Sequence, residues 1–367
     1  MLATNLSISA ATALGLISAT KATLTPNNLL AASTSGSLTA VRYTHVGGDG
    51  SYQQVTDLVP GTFPTCSANP SCVKTTKTVS GNLAPFDEDL TVVMRGPMNV
   101  YNIAVYQPDN TTSATWKRTS SWASGNAAHN LVFMNNNGGG ASGEWSICGG
   151  ASQSYASSDF SSAAASPKQT YGSYISASDE VNIMTATECN GSNCEGFYRG
   201  TSNLGWAGSK MFVFEFDMPS DSDSVTPAIW ALNGQVVRSA QYGCNCRGEG
   251  GEGGCGEIDL VENLVDADHN QGISEIYSFK GATGTGTGNY FARPTTEKAV
   301  FGVIFDVKTD QITIQKWSSW DFTQKAVTRS IIDGYLSTTA KVISFSTNAR
   351  KRREHRVPTF LAGRRRH

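Results

Sequence analysis

The chain has 367 residues, 39% of them hydrophobic and only 16% charged, with 37 glycines; it can bury a full core, which excludes a disordered tail, and its composition does not suit a helical cytosolic protein. The net charge of −2 hides an asymmetry: residues 350–367 hold eight Lys/Arg and one Glu, so residues 1–349 carry 20 basic and 29 acidic side chains, a balance of −9. An acidic body excludes nucleic acid as the expected partner, and the basic end reads as a solvated or aberrant tail.

Taken in chain order, residues 1–22 form an apolar, small-residue-rich start with a cleavage site after Ala22, although without the basic segment of a strong secretory signal. Asn110 and Asn190 stand in N-x-S/T sequons consistent with secretion. Residues 23–110 are expected to make a smaller N-terminal Cys-containing β-rich domain, in which "DLTVVMRGPMNVYNIAVYQ" forms two strands around the Arg95-Gly96-Pro97 turn. The polar stretch 110–130 is expected as a connection, with the domain boundary there. Residues 111–349 are expected to form the main domain.

Strand signals then recur: "NLVFMN", "KMFVFEFDMP", "TPAIWALNGQVV", "GEIDLVENL" and "GISEIYSFKG", followed by a hairpin turning at Lys308-Thr309-Asp310. Many short strands with Gly-rich turns predict an all-β fold, a β-sandwich or jelly roll with a concave cleft. "GATGTGTGN" at 281–289 is expected as a flexible loop beside the cleft or a plain surface loop. No segment after the signal is long and apolar enough to span a membrane, and a hydrophobic anchor tail is lacking. Eight cysteines, an even number, predict disulfides and an oxidising compartment. Cys189 is expected to pair with Cys194, and Cys244 or Cys246 with Cys255 or Cys148. A zinc site is the weaker reading, because regular CxxC pairs are missing, and no metal or cofactor is expected.

The segment "GCGEIDLVENL" places Glu257, Asp259 and Glu262 on one strand. Strict alternation sends Glu262 to the face opposite Glu257 and Asp259. A one-residue bulge rephases the strand and brings all three acids to one face. Retaining glycoside hydrolysis needs such close carboxyls, one a nucleophile and one an acid then base. A solvated edge strand is the plain alternative, although Ile258, Leu260 and Val261 are strand formers that bury a face. Trp230, then Trp206 and Tyr290, are the candidates for stacking on sugar rings, while Trp145 beside Cys148 reads as core.

"GEIDLVEN" resembles the active strand of the laminarinase and lichenase clan of retaining endo-β-glucanases. More closely, "GNLAPFDEDLTVVMRGPMNVYNIAVY", "TPAIWALNGQVVRSAQYGCNC", "GCGEIDLVE" and "YFARPT" together resemble the fungal Tos-type cell-wall proteins, from about residue 50 to residue 345. The resemblance implies a secreted, cell-wall glucan endo-1,3-β-glucosidase acting on β-glucan, with Glu257 as nucleophile, Asp259 as the positioning acid and Glu262 as general acid/base. A monomer is expected. Two departures stand out: Arg247 occupies a place where the family pattern suggests an aromatic, and after "KVISFSTNA" the chain turns abruptly Arg-rich. A glucan transglycosylase using the same acids, and a non-catalytic glucan-binding or structural wall protein, are the alternative functions.

Overall fold

Period-two alternation of Val, Ile, Phe and Thr decides the architecture. The computed structural model describes residues 23–59, 71–138, 153–177, 179–198, 201–219, 225–247, 254–264 and 268–345. The expected signal, Trp145, the side chains of Cys66, Cys72 and Cys148, and the basic tail lie outside the described residues. In chain order come β1 (Gly36–Ser37), β2 (Ala40–Thr44), β3 (Gly50–Val59), β4 (Ser71–Val79), β5 (Leu90–Arg95), β6 (Met98–Pro108), β7 (Thr115–Ala123) and β8 (Val132–Asn135). Next are β9 (Ser154–Ala156), β10 (Ala163–Ala164), β11 (Tyr174–Ile175), β12 (Glu180–Met184), β13 (Lys210–Asp217), β14 (Ala228–Asn233), helix α1 (Gly234–Ser239) and β15 (Glu257–Glu262). The last are β16 (Gln271–Ser278), β17 (Gly281–Gly284), β18 (Asn289–Ala292), β19 (Ala299–Asp306), β20 (Gln311–Trp317), β21 (Ala326–Thr328), helix α2 (Arg329–Ser337) and β22 (Lys341–Ser344).

Among the described residues the strands form two large sheets and one hairpin. An 11-stranded sheet runs β1–β18–β16–β15–β14–β5–β12–β8–β9–β10 with β17 beside β16; a 9-stranded sheet runs β21–β7–β6–β13–β19–β20–β2–β22 with β11 beside β6. The β3–β4 hairpin stands apart. The inner faces share one core: Val92 and Met94 of β5, Ile229 of β14 and Ile258 of β15 from one sheet meet residues such as Phe212 of β13 and Phe301 of β19 from the other. Each such side chain contributes about 1.5–3 kcal/mol on leaving water. The expected all-β sandwich is therefore observed. No helix among the described residues is long and apolar enough to cross a membrane.

Several local expectations change. The 23–110 stretch is β-rich, but apart from the β3–β4 hairpin its strands are built into the same sheets as the rest: β5 lies between β14 and β12, and β6 between β7 and β13. The boundary drawn near residue 110 thus separates stretches of sequence, not sheets. The Arg95-Gly96-Pro97 turn carries the chain from one sheet to the other instead of closing a hairpin. A Cβ on Gly96 would lie 2.2 Å from the carbonyl oxygens of Ile175 and Ser176, so no larger residue fits. The expected connection 110–130 contains β7, whose Trp116 and Trp122 are buried; its Ser and Thr residues disguise the alternation. The end of "TPAIWALNGQVV" is helix α1, capped by Asn233, whose side chain accepts from Gln235 N at 3.1 Å. The expected loop at 281 begins as β17, paired with β16. The β19–β20 hairpin turns where expected.

Candidate active site

Strand β15 supplies the acids, and its register decides where they point. Against β14, Asp259 is opposite Trp230 and Val261 opposite Ile229, which leaves Leu260 with no opposite residue. Against β16, Asp259 faces Glu275 and Glu262 faces Ile273, so β15 spends one residue more than its partner. This is a β-bulge, and it rephases the alternation. Glu257, Asp259 and Glu262 consequently share the outward face with Leu232, Trp230 and Ala228 of β14 and with Tyr277, Glu275 and Ile273 of β16. Ile258, Leu260 and Val261 pack into the core between the sheets.

An arginine holds each of the two outer acids. Arg247 Nη1 donates to Glu257 Oε2 at 2.5 Å, and Arg95 Nη2 donates to Glu262 Oε1 at 3.1 Å. Arg95 also lies 3.7 Å from Glu180 Oε1 and donates through Nε to the Thr226 carbonyl at 2.7 Å. Arg247 is steered by Cys246, which is disulfide-bonded to Cys255 just ahead of β15. The Cys189–Cys194 pairing is likewise present, Cys244 is also disulfide-bonded, and no described cysteine is free.

Burial and crowding set the protonation of this face. Burial raises Glu262 above the ordinary carboxylate range, against the opposing charge of Arg95. Burial, then the charges of Glu262, Glu257 and Glu275, push Asp259 well above it. Glu275 is raised by burial while accepting from Tyr277 Oη at 2.5 Å. Asp259 and Glu262, so close together, hold protons as a pair.

The aromatic candidates divide. Trp230 sits on the outward face directly across from Asp259, but it is only 4% exposed and the Arg95 guanidinium lies 5.2 Å from its ring centre. Tyr290 is half-buried on β18 and, by alternation from the Gln271–Ala292 pair, shares the face of Glu275. Trp206 is corrected: it lies in the core between the sheets, edge-on to Phe212 with centroids 5.3 Å apart, its Nε1 donating to Ser120 Oγ at 3.1 Å. The backbone bridge between Trp206 and Leu90 turns its ring inward, away from the acids.

Comparison with known proteins finds relatives along most of the described chain. Residues 39–108 match the N-terminal model, and residues 114–334 the C-terminal model, of cell wall protein YJL171C/Tos1. The chain belongs to this family. Among YJL171C/Tos1 relatives, one from Schizosaccharomyces pombe is 35% identical over 251 residues, covering 63% of this chain and 48% of the relative. The TOS1 protein of Saccharomyces cerevisiae is 39% identical over 240 residues, covering 62% and 50%. PGA52 of Candida albicans is 30% identical over 312 residues, covering 78% and 79%. Each of the three is named a probable circularly permuted 1,3-beta-glucanase. The chain spans about half the length of the first two, 48% and 50%. No solved structure matches it.

The sequence also held residues of this candidate site that motif reading passed over. Arg95 looked like part of a turn, and neither Glu180 nor Tyr242, whose hydroxyl donates to Glu180, carried a local pattern. They meet only once distant strands pair. Glu275 was findable: in "GISEIYS" it is a charge on the outward alternation of a half-buried strand, the same signal that marked Asp259.

Proposed function

We propose that the chain is a secreted, retaining endo-β-1,3-glucanase of the cell wall, with Glu257 as nucleophile and Glu262 as general acid/base. The observation that carries this reading is the bulge at Leu260, which puts both glutamates on one face of one strand; the printed names of the relatives support it. Retention requires carboxyls about 5–5.5 Å apart. Glu257 and Glu262 flank Asp259 on the shared face, and their side chains are long enough to converge over it.

In the first step Glu257 attacks the anomeric carbon while Glu262 gives its proton to the glycosidic oxygen, and the leaving sugar departs. Burial raises Glu262 and so favours the protonated form this step needs. Arg247 orients the Glu257 carboxylate through the bond to Oε2. Burial and acidic neighbours favour the protonated form of Asp259, which can then donate a hydrogen bond to a flanking carboxylate and separate the two charges. In the second step Glu262 takes a proton from water, whose oxygen attacks the anomeric carbon and frees Glu257. The chemistry needs no cofactor.

Purified protein incubated with laminarin tests this. Release of reducing ends by wild type, and its loss in Glu257→Gln, is the expected result. Wild-type activity equal to a blank contradicts the proposal.

A further inference from the structure

Sugar sites need a flat apolar surface, yet Trp206 is in the core and Trp230 is covered. Tyr242 is one of the few exposed large hydrophobic side chains among the described residues, at 43% exposure, and it stands on the acid-bearing side of the molecule. Its hydroxyl donates to Glu180 Oε1 at 2.5 Å. The adjacent Gln241 donates to Glu180 Oε2 at 3.2 Å. The guanidinium of Arg247, which holds Glu257, lies 5.9 Å from the Tyr242 ring centre. The ring is thus fixed at its hydroxyl end while part of its surface stays open. An aromatic ordered in advance loses little freedom when a ligand stacks on it.

The position suits an extended ligand. Glu180 is reached from Glu262 through Ala228 and Arg95, one residue on each successive strand, a backbone separation of roughly 14 Å at the usual strand spacing, and both carboxyls turn towards the Arg95 guanidinium between them. The Tyr242 ring, linked to Glu257 through Arg247 and to Glu262 through Glu180 and Arg95, therefore lies within a sugar unit or two of the acids. Nearby, three buried polar atoms have no hydrogen-bond partner: Gln241 Oε1, Trp230 Nε1 and Asn182 Nδ2. Trp230 and Asn182 both flank Val93 on this face. Buried polar groups left unpaired are uncommon in native proteins, which marks this part of the face as one that packing alone does not explain.

We propose that Tyr242 is an aromatic platform for a glucose unit of the glucan just beyond the two that flank the cleaved bond, held in place by Glu180. This rests on the glucanase reading, deepens it by assigning an outer subsite, and concerns binding, so it can be tested without turnover. The probe is a thio-linked β-1,3-glucose hexamer, which resists hydrolysis, with the corresponding dimer as a short control. Binding of each to the intact wild-type protein and its variants is measured by calorimetry.

Tyr242→Ala is expected to weaken hexamer binding about tenfold and leave dimer binding at the acids unchanged. Tyr242→Phe, which keeps the ring but loses its bond to Glu180, should lose clearly less affinity than alanine. Tyr242→Leu keeps apolar bulk without a flat face and should weaken binding as alanine does, which guards against a misfolded alanine variant. Unchanged hexamer affinity in the alanine and leucine variants overturns the proposal. So does equal loss for hexamer and dimer, which makes Tyr242 a brace for the 240–247 segment, or failure of wild type to bind the hexamer. Absence of laminarin hydrolysis alongside ring-dependent hexamer binding instead overturns the glucanase reading and leaves the platform standing.

Discussion

The two sheets share one core but finish their outer faces differently. On the 9-stranded sheet much of the outward face is apolar and covered: Trp116, Met211, Val213 and Ile304 pack with α2, and Trp317 stacks on Trp320 and Tyr335 at 5.0 and 4.3 Å. Its buried charge is closed on itself. Arg329 donates to both oxygens of Asp306 at 2.5 and 2.8 Å and to Asp333 at 2.7 Å. On the 11-stranded sheet, by contrast, Asp259 stands among Glu257, Glu262 and Glu275, and two arginines do not neutralise them all. Such crowding costs stability. One face is built for packing and the other holds carboxyls that packing alone does not explain, which is where chemistry is expected.

The sharpest way to break this contrast is to mutate each face and read both activity and stability. Glu257→Gln and Glu262→Gln should each lower hydrolysis of laminarin about 10³-fold or more with little change in melting temperature. The Glu262 variant should keep its first step on an aryl glycoside with a good leaving group, because that aglycone needs no proton. Equal losses on both substrates remove the distinction between the two roles.

The opposite signature is expected across the sandwich. Trp317→Ala should cost about 3–5 kcal/mol, measured by denaturant unfolding, while kcat per folded molecule stays unchanged. A smaller effect follows at Gly302, where a Cβ would lie 2.0 Å from the Trp317 ring. Gly302→Ala should destabilise by about 1–3 kcal/mol, again without a catalytic effect. Loss of activity in excess of lost fold for either variant means the faces are coupled.

The mildest prediction concerns pH. The folded state raises Asp259 above its ordinary 3.8 and Glu262 above 4.5, so it keeps protons that the unfolded chain releases. The stability from those protons is fully present below the ordinary values and is lost as pH rises through the raised ones. Asp259→Asn should therefore melt progressively higher than wild type from pH 4 upward, the gap growing by at most about 1.4 kcal/mol per pH unit. A gap independent of pH removes the acidic crowding from the account.

The contrast was only half legible in the sequence. The acidic strand could be read, bulge included, because five-residue spacing between Glu257 and Glu262 on a strand with an apolar face has few solutions. The cysteine spacings pointed to Cys189–Cys194 for a similar local reason, and left Cys246–Cys255 as one of the open pairings among Cys244, Cys246, Cys255 and Cys148. Arg95, Glu180 and Tyr242 could not be read, because β5, β12 and the 240–247 segment meet only once the sheet order is known. Trp206 misled because an aromatic beside a Gly looks the same in sequence whether it turns inward or outward. The insertion of β5 between β14 and β12 was hidden for the same reason: hydrophobic alternation specifies a strand, not its neighbours.

The most direct test of the central claim is to trap the sugar on the protein. A β-1,3-linked disaccharide carrying 2-fluoro substitution and a fluoride leaving group should react with wild type to give one glycosyl ester per chain. Peptide mapping by mass spectrometry should place it on Glu257. An ester on Glu262, or hydrolysis that proceeds with inversion at the anomeric carbon and no ester, contradicts the account.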